Sequence, residues 1–447
     1  MSISRILEIS KRSLLAYQSA IKTTTDNISN ANNEYYKRRR VNFNELNAGY
    51  SVLGLNINDA HRLRQRFAEY QIYSENQLFG KYQSTHRLLS QIEGVFNEGN
   101  DSGLSKVLDD FFSAWNDLAQ DPESDYARNL VVDKASVLAD NFQRIDGDLQ
   151  NIKDQIKPEL NLQLKDINQQ LGLLQKIDRQ LRMRSNPDLL DQRDKILDEL
   201  SQKINLKIKE KDNGEVNIYS DGVLLVSYDT LNELKLQETT GKTTNKLQIV
   251  LKNGGHVLNI NSGEIAGLLE IHNTILPQYK NSLDSLARGL AREVNKIHRQ
   301  GENANGVSGM DFFASDIKGM ADFKVNPAIV SDPSLVASRR SGEAVGSGSI
   351  ASDISDLQSK AIFSQGTVHE YYQSFLTQLG DQIKEADFNE NSQKMIIDQL
   401  KNQRDAVTGV SMDEEMTQMV QYQQAYSAAA KMITTVDQMM TTVIRMV

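Results

Sequence analysis

The sequence of 447 residues has no cysteine, six prolines, a single tryptophan and six scattered histidines. Without cysteine there is no disulfide, no thiol nucleophile and no thiolate metal site. That absence suits a chain that passes between redox compartments, as it suits many cytosolic proteins. No apolar run approaches the roughly 20 residues that span a bilayer. The N-terminus, MSISRILEISKRSLLAYQ, is not a signal peptide, because Arg5, Glu8, Lys11 and Arg12 break up its apolar residues. The chain is therefore expected to be cytosolic, or to leave by a route that reads no cleavable signal. A formal net charge of −9 counts against nucleic acid and acidic membrane as main partners. What is present, 39% apolar and 24% charged residues, is an ordinary soluble composition with length for two or three domains.

Groupings that carry chemistry are also missing. His61 and His86 stand far apart in charged, helical surroundings. His256 has no acidic grouping at ligand spacing, and His272 follows Glu270 without the spacing of a helical zinc motif. Replacing any one of the six histidines by Gln is expected to leave the protein's role intact. Asp191, Asp194 and Asp198 form a carboxylate row, but Arg193 and Lys195 among them suggest a solvated or ion-paired helix face. Gly346-Ser347-Gly348 is followed by no phosphate-loop lysine, and no Gly-x-Ser-x-Gly elbow occurs. No catalytic, cofactor-binding or metal-binding residue is assigned, and no cofactor is expected.

The pattern that is present is helical at both ends. Ile3, Leu7, Ser10, Leu14, Tyr17, Ile21, Thr24 and Ile28 recur at steps of four and three, a coiled-coil-like seam. An Asn/Ser cluster at 27–33 should end this helix. The basic run Lys37–Arg40 that follows reads as a solvated loop or as a dock for a neighbouring subunit's acidic surface. At the other end Met419, Tyr422, Tyr426, Ala429, Ile433, Val436, Met440, Val443 and Val447 repeat the same steps. Ser411 and Glu414 suggest a capping box at the start of that helix. Seven of the twelve methionines lie between Met412 and Met446, as adaptable interfaces favour. Met412, Met416, Met432 and Met439, with Ile6 and Ile9 at the other end, lie off the seam and suggest a second apolar face. Alone, the two helices are expected to be mobile and to order on assembly.

Between them the pattern is helical with one interruption. Asp121-Pro122-Glu123 and Asn186-Pro187-Asp188 read as helix starts, and Pro158 and Pro277 as breaks. Alternation at Ile204, Leu206 and Ile208 opens a strand region. Turn signals follow at Asp212-Asn213-Gly214, Asp221-Gly222 and Asn253-Gly254-Gly255. The expected fold is mainly α with an inserted β module. It is an elongated molecule with paired N- and C-terminal amphipathic helices. Residues 1–60 with 405–447 form a terminal helical domain. Residues 61–203 with 263–300 and 350–404 form a helical bundle. A small antiparallel β domain is inserted at 204–262, and 301–349 is irregular with possible short strands.

Particular segments resemble a known family. DNISNANNEYYKRRR, from Asp26, is similar to a motif shared by axial proteins of the flagellar rod, hook and junction. Asn27, Ile28, Ser29, Asn30, Asn32, Tyr36 and Arg38 match it, whereas Asp26, Asn33 and Tyr35 depart. Tyr35 stands where the family has glycine, so the local turn is expected to differ. The C-terminal segment resembles the family's last helix at Asp413-Glu414-Glu415, at Tyr422 to Tyr426 and at Thr435-Val436-Asp437. GLSKVLDDFFSAWNDLAQDPESDYAR, PDLLDQRDKILDELSQKINLKI, GEIAGLLE from Gly263 and VNKIHRQG from Val294 resemble the hook–filament junction branch, the hook-associated proteins.

The resemblance implies a secreted, non-enzymatic subunit of the bacterial flagellum. It would leave unfolded through the flagellar type III channel and form a helical array at the distal end of the hook. Its implied partners are copies of itself, hook protein below, and a second junction protein and filament above. A cytosolic export chaperone would hold the C-terminal segment. The terminal helices would line the inner layer, with the β module farther out. The expected assembly interface comprises Ile3, Leu7, Leu14, Tyr17, Ile21, Ile28, Asn30, Arg38, Met419, Tyr422, Tyr426, Ile433, Val436, Met440 and Val443. Alternatives are another axial protein, a hydrolase-bearing axial protein or an adhesin.

Overall fold

The computed structural model describes residues 3–48, 51–57, 61–96, 103–184, 186–211, 214–240 and 245–446. Asp212 and Asn213 of one expected turn, and Val447 of the C-terminal stripe, lie outside them. Helix α1 (Ile3–Ser29) leads into β1 (Arg39–Arg40), β2 (Phe43–Ala48), β3 (Ser51–Ile57) and β4 (His61–Arg62). Helices α2 (Arg66–Phe96), α3 (Leu104–Gln120), α4 (Asp125–Met183) and α5 (Pro187–Lys203) follow. Strands come next: β5 (Lys207–Glu210), β6 (Val216–Ser220), β7 (Val223–Val226), β8 (Leu234–Thr240), β9 (Asn245–Leu251) and β10 (Val257–Leu258). The chain returns to helix in α6 (Glu264–Glu270) and α7 (Leu276–His298). Then come β11 (Gly301–Glu302), α8 (Pro327–Ser331), β12 (Arg339–Arg340) and α9 (Ser349–Ser355). Two long helices, α10 (Val368–Thr408) and α11 (Met412–Met446), end the chain.

These elements fall into two compact units. The first holds residues 1–77, 169–232 and 393–447, and the second 78–168 and 233–392. The fold is mainly α with inserted antiparallel strands, as the periodicity predicts. The domain limits differ from those expected. The 204–262 segment forms two three-stranded sheets, β5–β6–β7 and β10–β9–β8, and the unit boundary falls between them. The reason is local. Asn232 turns the chain back onto the first sheet, donating from its backbone to Leu225 O (2.7 Å) and from Nδ2 to Leu224 O (2.8 Å). Two residues later, Leu234 N and O both pair with the carboxamide of Asn168 on α4 at 2.8 Å, which starts the second sheet in the other unit. The β6–β7 hairpin turns on Asp221 (φ 48°) and Gly222 (φ 77°), the paired positive φ of a type I′ turn.

The 1–60 region also contains more than helix. Strands β2 and β3 form an antiparallel hairpin, and β1 pairs with β4 (Arg39 opposite Arg62) at its base. Its signal is the alternation of Leu53, Leu55 and Ile57 with Gly54 and Asn56.

Helix starts and stops follow side-chain chemistry more than proline. Asn186 caps α5, its Oδ1 accepting from Asp188 N at 2.9 Å, with Pro187 at the first helical position. The Asp121-Pro122 signal is displaced. Helix α4 starts at Asp125 because Ser124 Oγ accepts from Ala127 N (3.2 Å), while Asp121 N closes α3 on Asp117 O (3.1 Å). Pro158 lies within α4, where side-chain burial on both sides of it sustains the helix. Pro277 does not break the chain either. It sits in the first turn of α7, directly after a π-helical turn at Ile271–Ile275 that joins α6 to α7. That turn presents Asn273, whose carboxamide bonds both Leu247 N (2.9 Å) and Leu247 O (2.8 Å) where β10 has ended. The glycine of the GEIAGLLE segment permits close packing in this unit. A Cβ on Gly267 would meet Lys81 O at 2.8 Å.

The irregular 301–349 segment is anchored by aromatics. Trp115 is fully buried against Phe312 (ring centroids 5.0 Å apart), Phe312 stacks edge-on to Phe313 (4.9 Å), and Phe313 meets Phe323 (4.6 Å). His298 completes this cluster. Its Nδ1–H donates to Met310 O (2.8 Å) and its Nε2 accepts from Ala337 N (3.0 Å). His298 thus joins two backbone segments inside the core, so its replacement bears on the stability of this unit. Burial pulls its pKa down from 6.5 to about 4. The unfolded chain takes up this proton near pH 6.5 and the folded chain only near pH 4. The stability is thus full above pH 6.5 and is lost as pH falls towards 4, by roughly 3 kcal/mol. Urea midpoints between pH 7 and 4 should fall less steeply in His298→Gln than in the parent. Equal slopes would contradict this assignment.

Candidate assembly interface

Helix α1 packs along α11 within one chain. The residues of α1 most deeply buried are Ser10, Ala16, Ala20, Thr24 and Asn27. Most of these are small, so the two backbones can approach closely. On α11 the buried residues are Glu415, Ala429 and Val436. The expected seam is therefore present on α11, where Ala429 and Val436 both belong to the predicted stripe. On α1 the contact lies to one side of it, where Ser10 and Thr24 belong to the stripe and Ala16, Ala20 and Asn27 do not. Ile3, Leu14, Tyr17, Ile21 and Ile28 are half-buried beside the line of small residues, as are Met419, Tyr422, Tyr426 and Ile433 opposite. Phe43 of the hairpin joins them, with ring centroids 5.7 Å from Tyr17 and 5.9 Å from Tyr422.

Much apolar surface stays outside this pairing. Leu7 and Leu15 are exposed on α1, and Met412, Met416, Val420, Met432 and Met439 on α11. Exposure is concentrated at the end of α11, reaching 41% at Met440, 49% at Val443, 72% at Ile444 and 81% at Met446. Scattered exposed apolar residues are ordinary, whereas a cluster of them on one helix end is not.

A buried polar joint holds the other end of the pair. Asn27 Nδ2 donates to Glu415 Oε2 and to Arg39 O, both at 2.9 Å. Asn27 Oδ1 accepts from Tyr36 OH (2.8 Å) and Arg39 N (3.0 Å). Arg38 spans the same gap, with Nε on Glu415 (2.7 Å) and Nη1 on Glu414 (2.6 Å). Glu414 thus serves Arg38 in place of the expected capping box. Asn30 closes α1 instead of facing outward, donating from Nδ2 to Asp26 O at 2.9 Å. Tyr35, in the family's glycine position, avoids the left-handed region, since Asp221 is the one non-glycine residue with positive φ among the described residues. Its hydroxyl lies 3.5 Å from Asp198.

The basic run therefore binds its own chain. Lys37 and Arg38 are buried, and Arg39 pairs with Asp188 (2.6 Å) and Asp191 (2.9 Å). Arg62 pairs with Asp191 (2.8 Å) and Asp194. A solvated loop does not describe Lys37, Arg38 and Arg39, whereas Arg40 is exposed. Asp191 and Asp194 are ion-paired with arginines about 130 to 150 residues distant in sequence, not with Arg193 and Lys195 beside them, and Asp198 accepts from Asn76 Nδ2 at 2.8 Å. Arg64 bridges Glu69 (2.9 Å) and Glu210 (3.0 Å) in the same unit. Burial raises the pKa of Asp191 and Asp198, opposed by the neighbouring Arg62 and Arg39 at Asp191 and by Lys401 at Asp198. Such buried pairs add little net stability but cost much when one partner is removed, so they fix geometry more than they add strength.

No group of His, Asp and Glu among the described residues could hold a metal ion, and no described helix is long and apolar enough to cross a membrane. What the site presents is a braced helix pair with an uncovered apolar end. A profile of the flagellar hook-associated protein FlgK helical domain matches residues 89–313, half of the chain. The chain belongs to the flagellar hook-associated protein FlgK family. A second profile, of the flagellar basal body rod FlgEFG protein C-terminal region, matches 403–446, which covers α11 and the end of α10. Flagellar hook-associated protein 1 of Bacillus subtilis is 28% identical over 492 residues, covering 98% of this chain and 97% of that protein. Its counterpart in Salmonella typhimurium is 26% identical over 335 residues, covering 70% of this chain and 60% of that protein. The solved structure of the flagellar hook junction protein FlgK from Burkholderia pseudomallei shares the fold, with a TM-score of 0.67 at 12% identity. That match covers 75% of this chain and all of the other. This FlgK-family chain is a structural protein of the flagellar hook–filament junction, which explains why its site is a surface of helices.

Proposed function

We propose that this FlgK-family chain leaves the cell unfolded through the flagellar type III channel. It polymerises at the distal end of the hook through the outward faces of α1 and α11. The observation that carries the reading is the exposed apolar end of α11 from Met439 to Met446. Covering each large apolar side chain stabilises the assembly by roughly 1.5–3 kcal/mol, and a helical array repeats that contact in every subunit. Hook protein lies below, the second junction protein and filament lie above, and a cytosolic chaperone covers the C-terminal segment before export. The work is mechanical, and no bond is made or broken.

The test is a short epitope inserted in the exposed turn at Asn253-Gly254, read by immunogold on purified hook–filament structures. A band at the junction alone supports the proposal, and label along the hook or the filament rejects it. The same chain should reach the medium with its N-terminus uncut, apart from Met1, and only from cells whose flagellar channel works. Removal of the first 20 to 30 residues would exclude this route.

A further inference from the structure

We infer that Asn27 is the positioning residue of the assembly surface. Its carboxamide holds the end of α1, the returning strand β1 and the start of α11 in one register, so that both helices present their apolar faces together. The inference rests on assembly through α1 and α11, and adds what aims them.

A carboxamide offers two N–H donors and two acceptor lone pairs. In Asn27 all four are used within one chain, on Glu415, Arg39 O, Arg39 N and Tyr36 OH. These partners lie 9, 12 and 388 residues away, so one side chain joins the two ends of the sequence. Asn27 and Glu415 are each 1% exposed, which leaves no water to substitute for a lost bond. Other polar residues fit poorly. Aspartate keeps the two acceptors, loses both donors and sets a carboxylate against that of Glu415. Glutamine is one methylene too long, and serine has one donor.

Position matters here more than strength because α11 is a lever. It has 35 residues, and at 1.5 Å per residue it extends about 50 Å from the joint. A tilt of about 10° at the joint would move its tip by roughly 9 Å, as far as two packed helix axes are apart. The exposed residues Met439 to Met446 lie at that tip. An error too small to unfold the chain would still remove them from a neighbour's reach.

The test uses the full chain, whose lack of cysteine allows two new ones for spin labels at exposed Lys11 on α1 and Lys431 on α11. Both sites are 16 residues from the joint on their helices, so they lie at similar height. Pulsed dipolar spectroscopy should give one narrow distance distribution in the parent. Asn27→Asp should broaden it at least twofold and lower incorporation at the junction at least tenfold. Trp115 fluorescence should stay unchanged, reporting an intact second unit. Adding Glu415→Gln to Asn27→Asp exchanges acceptor for donor at residue 415 at unchanged net charge while leaving Arg39 O without its donor, and should narrow the distribution and recover incorporation in part. An unchanged distribution in Asn27→Asp overturns the inference, as does a double variant as broad as the single one. If distances broaden and recover while incorporation never changes, it is assembly through these helices that fails, and the inference with it.

Discussion

Met440→Asp is expected to abolish incorporation at the hook–filament junction while leaving the free chain as stable as its parent. In the free chain Met440 is 41% exposed, one turn beyond Val436 towards the end of α11, and exposed substitutions usually change stability by less than about 0.5 kcal/mol. In the array a neighbour would cover it. The change then loses roughly 1.5–3 kcal/mol of apolar burial and places an unpaired charge in a dry contact. Each 1.4 kcal/mol is about tenfold in affinity, so a loss of 100-fold or more per contact is expected. Val436→Asp should behave differently. Val436 is buried against α1, so its variant should loosen the helix pair itself as well as block assembly. Protease protection of α11 in the free chain separates the two. Lys431→Asp, exposed and off the seam, should be mild in both respects. Normal incorporation of Met440→Asp would show that this end of α11 is not an interface.

Trp115→Ala should destabilise the second unit by about 3–5 kcal/mol, a large part of the 5–15 kcal/mol typical of a domain. The ring is fully buried among Phe111, Phe312 and His298, and these hold the otherwise irregular 301–349 segment. Its indole N–H finds no acceptor, so Trp115→Phe removes an unsatisfied donor along with some volume. That variant should cost under about 1.5 kcal/mol. Urea unfolding followed by far-UV circular dichroism checks both. A similar cost for the two variants would mean that the ring's volume does not anchor this segment.

Much of the architecture is legible in the sequence because it rests on period. The three-four spacing of large apolar residues predicts paired terminal helices, and Asn186-Pro187 predicts the start of α5. The phase on α1 is legible only in part. Ser10 and Thr24 of the predicted seam are on the contact line, but Ala16 and Ala20 between them carry little hydrophobic signal and allow close approach. The polar joint is hidden for another reason. Arg38 meets Glu415 across 377 residues, and charges that distant are indistinguishable from solvated ones until the fold brings them together. Lys37–Arg40 looks like an outward patch for the same reason. The family motif did mark Asn27, Tyr36 and Arg38, but as a resemblance, without the chemistry that makes them one joint. Proline misled where neighbours compensated, as at Pro158 and Pro277. His298 escaped notice because its partners are backbone groups, Met310 O and Ala337 N, which no side-chain spacing can reveal.

The most direct measurement uses the missing cysteines. Met440→Cys gives the chain a single thiol, placed in the uncovered end of α11. Maleimide should modify it rapidly in the free subunit and at least tenfold more slowly in isolated hook–filament structures, where a neighbouring subunit covers it. Equal rates in the two states would contradict assembly through this face.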